Sequence, residues 1–199
     1  MKNILAFGMY EKAMYHPLTG VDQYLESILP DVQFTFTEQI MDLCRLEEYD
    51  GVISYWDDWK QPIPEEASPA LQQYVKNGGS LLVLHNGISV QLQEPLAKMI
   101  GARFLTHPAQ EEITFCLKDT VFTKGCSKFQ LVEEPYQFDM EDDDKDVFMH
   151  YVYHGKAYPA AWHKTYGKGE VIYLMPGHTP EKFQNPEYTK LIQNCIHYL

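Results

Sequence analysis

Basic residues are scarce in this sequence, with 16 Lys and Arg against 28 Asp and Glu, which gives a formal net charge of −12 over 199 residues. A surface this acidic repels phosphates, so binding to nucleic acid through a basic face is not expected. Long hydrophobic runs are also missing, and the apolar stretch at residues 1–7 is too short for a signal peptide. We therefore expect neither a membrane partner nor a secretion signal.

Cysteine is also scarce, and the number and spacing of the cysteines indicate the cellular compartment. The chain has four cysteines, at Cys44, Cys116, Cys126 and Cys195, and no two of them have C-x-x-C spacing. Four is few for a disulfide-stabilised scaffold, so reduced and mostly buried thiols are the expectation. Together with the missing signal peptide, this predicts a cytoplasmic protein.

The first half of the chain alternates between apolar strand patterns and amphipathic helix patterns. Strands are predicted at residues 4–7, 32–37, 52–56 and 80–84. Helices are predicted at residues 21–28, from Ser68 to Gly78-Gly79, and at residues 94–100. This alternation predicts a parallel sheet with helices on both faces.

The second half of the chain contains mainly strand patterns. They fall at residues 112–117, 129–133, 147–153 and 158–164 with few helical intervals, which indicates an antiparallel excursion from the sheet. Residues 169–174 return to a core strand, and residues 186–199 have helical spacing. Because no repeat, low-complexity tract or linker interrupts the chain, we predict a single α/β domain over residues 1–199.

One segment concentrates the acidity, since residues 133–146 hold eight acids and one lysine. A solvated acidic loop and a cation site are both compatible with this composition. Five of the acids crowd together without the spacing of a calcium loop, which favours the solvated loop. They are Glu141, Asp142, Asp143, Asp144 and Asp146.

Ligands of open parallel sheets bind at the carboxyl ends of the strands, so polar residues directly after strands are the first site candidates. Here they are Tyr10, Trp56, Asp57, Asp58, His85, Asn86, Gly87, Gly177 and His178. Two of them are histidines that each follow a core strand. A histidine pair provides a general acid and a general base near neutral pH, so His85 and His178 are the predicted catalytic residues.

Five motifs, in this order along the chain, resemble the ThuA (trehalose utilisation) family. They are the strand and turn from Gly79 to Gly87, the E-x-Y-x-F stretch from Glu134 to Phe138, the P-x-x-W stretch from Pro159 to Trp162, and the G-K-G-x-V and G-H patterns between Gly167 and His178. The resemblance implies the flavodoxin-like three-layer α/β/α fold of the class I glutamine amidotransferase superfamily. It also implies a role in carbohydrate metabolism, with a disaccharide or a keto-sugar as ligand.

The sequence departs from the amidotransferases at their nucleophile. Those enzymes carry a cysteine on a strained turn after a strand and pair it with a histidine. Here the turn holds His85-Asn86-Gly87 with no cysteine nearby, while His178 falls where the partner histidine is expected. Cysteine-dependent amidotransferase chemistry is therefore not expected.

Three functions remain open from the sequence. The first is a sugar hydrolase or isomerase that uses His85 and His178. Its predicted substrate-binding residues are Trp56, Asp57, Asn86, Gly87, Glu134, Tyr136, Trp162 and Gly177. Tryptophans in such positions are more often part of a packed core or a lid than a surface for stacking a sugar.

The second is a non-catalytic sugar-binding or assembly domain on a degenerate amidotransferase scaffold. The third is a metal-dependent hydrolase, with zinc or a similar divalent ion bound by residues drawn from His16, His85, His107 and His178. These histidines lack H-E-x-x-H spacing, so such a site needs distant loops to meet. Exposed aromatic residues are also compatible with a homodimer.

Overall fold

The fold alternates strands and helices in its first half and runs mainly through strands in its second half. The structure is a computed structural model that describes residues 1–141 and 144–199. The first half contains β1 (Lys2–Gly8), α1 (Val21–Ile28), β2 (Val32–Thr37), β3 (Gly51–Tyr55), α2 (Ala67–Lys76), β4 (Ser80–Leu84), α3 (Glu94–Ile100) and β5 (Ala102–Thr106). The second half contains β6 (Glu111–Leu117), β7 (Phe129–Glu133), β8 (Gln137–Met140), β9 (Asp146–Tyr153), β10 (Lys156–Tyr166), β11 (Gly169–Leu174) and α4 (Pro186–Tyr198).

Nine of these strands form one sheet in the order β2-β1-β3-β4-β11-β10-β9-β6-β7. The first five strands in that order are mutually parallel. From β11 onward each neighbouring pair is antiparallel. The parallel part has the strand order of a flavodoxin-like sheet, so both the predicted fold class and the predicted antiparallel excursion are confirmed.

The parallel strands are central because they are apolar on both faces. Every residue of β3 and of β4 is buried, as expected for strands covered by helices on both sides. The β1-α1-β2 and β3-α2-β4 crossovers run in opposite directions along the sheet, so right-handed connections put α1 and α2 on opposite faces. Because β1, β3, β4 and β11 are parallel, their carboxyl ends lie at the same edge of the sheet.

A small second sheet lies beside this edge and was not predicted. Strand β5 pairs with β8 in antiparallel fashion, with Phe104 opposite Phe138. Both strands are short, four or five residues, and their pairing joins distant parts of the chain. This small sheet holds Phe104 and the segment that leads into β8 next to the ends of the parallel strands.

The acidic segment differs from its prediction as one solvated loop. Glu133 is fully buried and Glu134 is 8% exposed. Residues 137–140 form strand β8 rather than loop. Asp142 and Asp143 lie outside the described residues. The solvated-loop interpretation is therefore wrong for the first two acids, whose carboxylates point into the protein.

The cysteines are unpaired, as expected, but they are not mostly buried. Cys44 and Cys116 are exposed, Cys126 is partly buried, and only Cys195 lies in the core. Among the helices of residues 1–141 and 144–199, none has the length and apolar character required to cross a bilayer.

The turn after β4 is fastened to the end of β3. The Asn86 side chain donates to the carbonyls of Tyr55 (2.9 Å) and Trp56 (3.2 Å), and the Ser54 hydroxyl donates to the Gly87 carbonyl (3.0 Å). A Cβ atom on Gly87 would lie 2.0 Å from the Ser54 carbonyl oxygen. Glycine is therefore required at residue 87 for close packing of two backbones.

Replacing Gly87 by alanine is expected to reduce the free energy of unfolding by about 3 kcal/mol, because the added methyl group forces two buried backbone segments apart. Gly125→Ala is the matched control. Gly125 has a φ of +73° with no atom within 4 Å of its added Cβ. The control should lose only the left-handed backbone penalty of about 1 kcal/mol. Urea denaturation measures both, and an equal loss in the two variants would contradict the packing requirement.

Candidate functional site

Three histidines and one glutamate converge at the carboxyl edge of the parallel sheet. His16 lies within the loop between β1 and α1, His85 follows β4, Glu134 follows β7 and His178 lies beyond β11. One nitrogen or oxygen atom from each side chain lies within 4.8 Å of the corresponding atoms of the other three. We call these four residues the histidine–glutamate cluster.

His85 occupies the strained position that sequence analysis assigned to the missing nucleophile. Its φ is +43°, a left-handed conformation that is unfavourable for a residue with a Cβ. Its Nδ1 lies 2.6 Å from the Met175 carbonyl oxygen. Because a carbonyl only accepts, Nδ1 carries the proton, and Nε2 points toward Glu134 Oε2 at 3.5 Å. Both of these facing atoms are buried without a hydrogen-bond partner.

His16 is oriented by Asp57, which is fully buried behind it. The carboxylate accepts from the backbone N–H of His16 (2.7 Å), the backbone N–H of Tyr15 and the indole N–H of Trp59 (3.0 Å). His16 Nδ1 also contacts this carboxylate, at 3.1 Å from Asp57 Oδ1. The other ring nitrogen of His16, Nε2, therefore faces the cluster. Burial alone would raise the pKa of Asp57, but the hydrogen bonds from His16 and Tyr15 lower it below its usual value.

His178 connects His16 to Glu134. His178 Nδ1 lies 2.9 Å from His16 Nε2 and 3.2 Å from Glu134 Oε2. The close contact with the Glu134 carboxylate raises the pKa of His178 against the opposing effect of burial. Burial likewise opposes ionisation of Glu134, but contacts with His178 and His85 outweigh it and hold the pKa of Glu134 far below its usual value. Burial lowers the pKa of His16.

A second carboxylate, Glu133, fixes the loop that carries His178. Its Oε2 accepts from the backbone N–H groups of Gly177 (2.8 Å) and His178 (3.3 Å). Its Oε1 accepts from the backbone N–H of Glu134 (2.9 Å). Glu133 therefore joins the two segments that deliver His178 and Glu134 to the cluster.

A pocket of about 520 Å³ opens onto the cluster. Its lining comprises Tyr15, His16, Trp59, Phe104, His107, Glu134, Tyr136 and His178. Ring centroids of Trp59 and Tyr136 lie 5.0 Å and 4.4 Å from that of Phe104, so aromatic walls surround a polar floor. A few convergent polar groups in an aromatic pocket are typical of small-molecule sites. A cavity of about 550 Å³ between Leu43 and Gly79 lies before β3 and β4, at the opposite edge.

The structure brings several predicted site residues together. His85, His178 and Glu134 belong to the cluster, and the Tyr136 ring stacks on the His85 ring at a centroid distance of 4.4 Å. Asp57 lies behind His16 rather than in the pocket. His107, a predicted metal candidate, lies outside the cluster at the side of the pocket, with Nδ1 3.8 Å from Glu134 Oε1.

Other predicted substrate contacts belong to the framework, and those predictions are corrected. Trp162 is fully buried, and its indole donates to the Ile100 carbonyl (2.8 Å). Trp56 is 9% exposed and packs near Phe7. Asn86 and Gly87 fasten the turn after β4, as described above. Gly177 has its N–H engaged by Glu133. Their apolar or hydrogen-bonding capacity is already used inside the protein.

The sequence reasoning assigned no site role to Glu133 or Phe104. It did consider Trp59 as a surface for stacking a sugar, and the loop from Tyr10 to His16, which contains Tyr15, as a place for ligand contact. It named His16 as a candidate metal ligand but not as a catalytic residue, and the structure places His16 in the cluster. The position of His16, in the loop after the first parallel strand, was a usable signal because that loop lies at the carboxyl edge. Glu133 gave no such signal, since an acid in an acidic run resembles a solvated side chain.

Comparisons with known proteins agree with this fold. The sequence matches the family described as ThuA, trehalose utilisation, over residues 11–199. A protein of Bacteroides uniformis described as ThuA-like has a similar structure, with a TM-score of 0.80, 17% identity and coverage of 99% of this chain and 90% of that one. A protein of Parabacteroides merdae, also described as ThuA-like, has a TM-score of 0.76 and 16% identity, with coverage of 99% of this chain and 89% of that one.

A cytoplasmic protein of Salmonella typhimurium LT2 is also similar, with a TM-score of 0.73, 17% identity and coverage of 98% of each chain. No curated protein matches the sequence significantly. At these identities the solved structures support the fold alone.

Glu133→Gln is expected to lower the free energy of unfolding by about 2–3 kcal/mol, because the new amide N–H₂ faces backbone donors in a buried site. Glu94→Gln provides the control, since the Glu94 side chain is 62% exposed and its ion pairs with Lys98 and Arg103 are solvated. Its stability should stay near that of the wild type. Chemical denaturation compares them, and a Glu133→Gln variant as stable as the control would remove Glu133 from its anchoring role.

Proposed function

The chain belongs to the ThuA family, described as trehalose utilisation, and on that basis we propose that it is an enzyme that turns over a small carbohydrate in the pocket above the histidine–glutamate cluster. The proposed substrate is a disaccharide or a keto-sugar. The proposed reaction is a hydrolysis or an isomerisation, both of which require protons to be moved at a sugar carbon or oxygen.

One observation carries the proposal, namely the convergence of three imidazoles and a carboxylate on the floor of a pocket. Burying ionisable groups is unfavourable unless they are paired, so such a concentration is typical of functional sites. The cluster also lies at the carboxyl edge of a parallel sheet, where ligands of this fold class bind.

The pocket walls support a carbohydrate as the ligand. The aromatic rings of Trp59, Phe104 and Tyr136 offer apolar faces on which the C–H face of a sugar ring can pack. The cluster below them offers hydrogen-bonding groups for hydroxyl or keto oxygens. The size of the pocket, about 520 Å³, suits a ligand of one or two sugar rings.

Exposure separates the roles we propose within the cluster. The side chains of His178 and Glu134 are 19% and 10% exposed and line the pocket, so they are the proposed catalytic residues. His85 is fully buried behind Glu134, so we propose that it is a positioning residue and does not contact the sugar. Among the described residues that line the pocket there is no cysteine, and the proposal includes no thiolate nucleophile.

We also propose a cytoplasmic location. It is supported by the four unpaired cysteines, since thiols remain reduced in that compartment. The structurally similar Salmonella typhimurium LT2 protein is described as cytoplasmic.

A second candidate function is a non-catalytic sugar-binding domain. It is favoured by the replacement of the amidotransferase cysteine with His85, which keeps the strained turn and removes the nucleophile. The two candidates differ in turnover. A binding domain is stabilised by a sugar without converting it, whereas an enzyme releases product.

We expect His178→Ala and Glu134→Gln each to lower turnover by about 10²- to 10⁴-fold, the range associated with loss of a proton-transfer group. The assay exposes the purified chain to disaccharides and their keto derivatives and detects products by chromatography. His197→Gln is the matched control, because His197 pairs with Asp31 on the surface with 48% of its side chain exposed. It should retain wild-type turnover.

Each outcome of this comparison distinguishes an enzyme from a binding domain or tests the role of the cluster. Equal turnover by the wild type and His178→Ala would exclude the cluster as the reaction centre. Thermal stabilisation by a sugar, with no product from any variant, would favour the binding domain instead. Circular dichroism of each variant establishes that lost turnover does not reflect lost folding.

A further inference from the structure

We infer that the histidine–glutamate cluster is a binding site for one divalent transition-metal ion of the zinc type. The proposed ligand atoms are Nε2 of His16, Nε2 of His85, Nδ1 of His178 and one carboxylate oxygen of Glu134. The inference concerns the site of the proposed function and rests on that function for its catalytic meaning, but it does not depend on the substrate.

The spacing of the four atoms suits a single ion. Ligand atoms about 2.0–2.2 Å from a tetrahedral zinc ion lie about 3.3–3.6 Å from one another. In the cluster, Glu134 Oε2 lies 3.2 Å from His178 Nδ1, 3.5 Å from His85 Nε2 and 3.9 Å from His16 Nε2. Since no pair exceeds 4.8 Å, one ion reaches all four atoms with small adjustments of the side chains.

Two unpartnered atoms point into the same space. The Nδ1 proton of His85 is committed to the Met175 carbonyl, so Nε2 is the atom that presents a lone pair whenever the ring is neutral. It faces Glu134 Oε2, another acceptor, and both atoms are buried without a hydrogen bond. Two acceptors that face each other in a buried site repel unless a proton or a metal cation lies between them.

The groups behind the ligands orient them as in known metal sites. A histidine that binds a metal typically donates its other N–H to a carboxylate or a backbone carbonyl. His16 is paired with the Asp57 carboxylate through Nδ1, and His85 with the Met175 carbonyl. Both rings are thereby held in the tautomer that leaves Nε2 free for a metal.

The composition of the site selects the metal class. Three imidazoles and one carboxylate suit zinc and neighbouring first-row ions, whereas calcium and magnesium prefer sites made of oxygen atoms. His16, Glu134 and His178 also line the pocket, so a bound ion would be accessible to a ligand. A metal there would supply a water of lowered pKa and would replace an imidazole as the base of the proposed reaction.

The rival account uses protons alone. One proton shared between His16 Nε2 and His178 Nδ1, at 2.9 Å, and another between His85 and Glu134 would also satisfy the cluster. That arrangement needs no metal, and the 3.5 Å separation of His85 Nε2 from Glu134 Oε2 is long for a hydrogen bond to a charged group. Metal binding by the intact chain separates the two accounts.

The test uses the full chain without a histidine affinity tag, first stripped of metal with a chelator and then titrated with zinc or with cobalt(II). We expect saturation at one ion per chain by elemental analysis, and visible cobalt absorption bands of a site with nitrogen ligands. His85→Gln should weaken binding by more than about 100-fold. Asp57→Asn changes the group behind His16 and keeps all four proposed ligands, so it should weaken binding by about 10- to 100-fold. His197→Gln should bind as the wild type does.

Absence of saturable binding of either ion to the wild type would overturn the inference, as would equal affinity in His85→Gln and the wild type. If His85→Gln fails to fold, the wild-type titration and Asp57→Asn still decide the question. A chain that binds neither ion and yet turns over a sugar would refute the metal site and leave the proposed function standing. A chain that binds the metal but turns over no sugar would support the metal site and contradict the proposed function.

Discussion

Four ionisable side chains share a space in which their ligating atoms lie within 4.8 Å of one another, and little water reaches them. His85 is fully buried, His16 is 4% exposed and Glu134 is 8% exposed. Such burial is unfavourable for each group alone, so every member needs a partner that holds it in place. Much of the structure around the site meets that requirement, through Asp57 behind His16, the Met175 carbonyl behind His85 and Glu133 beneath His178.

The fold supplies these partners from distant parts of the chain. The parallel strands β1, β3, β4 and β11 deliver His16, Asp57, His85 and His178 to one edge, because parallel strands end on the same side. The antiparallel excursion then returns Glu133 and Glu134 to that edge. The strained backbone at His85 fits this picture, since its φ of +43° is unfavourable and the fastened turn after β4 maintains it.

The fold was largely predictable from the sequence, whereas the site was predictable only in part. Apolar runs such as residues 80–84 identify buried strands, and alternation with helices gives the sheet its parallel half. The carboxyl-edge rule drew attention to His85 and His178, which the structure brings together. The rule does not reveal which way a side chain points, and so it misplaced Asn86 and Gly87, which turn toward β3. Trp162 was misassigned because a tryptophan in a sequence motif gives the same signal whether its side chain packs in the core or lines a pocket.

The remaining misses have a common physical cause. The burial of Glu133 and Glu134 depends on contacts with Gly177 and His85, more than 40 residues away in each case, and an acidic run gives no sign of such contacts. The β5–β8 pair likewise depends on tertiary pairing between two short strands. Local sequence patterns report neighbours along the chain, while the site is made almost entirely from residues that meet only after folding.

Anomalous X-ray scattering from crystals of the zinc-loaded chain tests the central claim most directly. The account predicts one anomalous peak at the zinc edge inside the cluster, about 2.0–2.2 Å from His16 Nε2, His85 Nε2, His178 Nδ1 and a Glu134 oxygen. The account would be contradicted if the electron density inside the cluster carried no anomalous signal and His85 were hydrogen-bonded directly to Glu134.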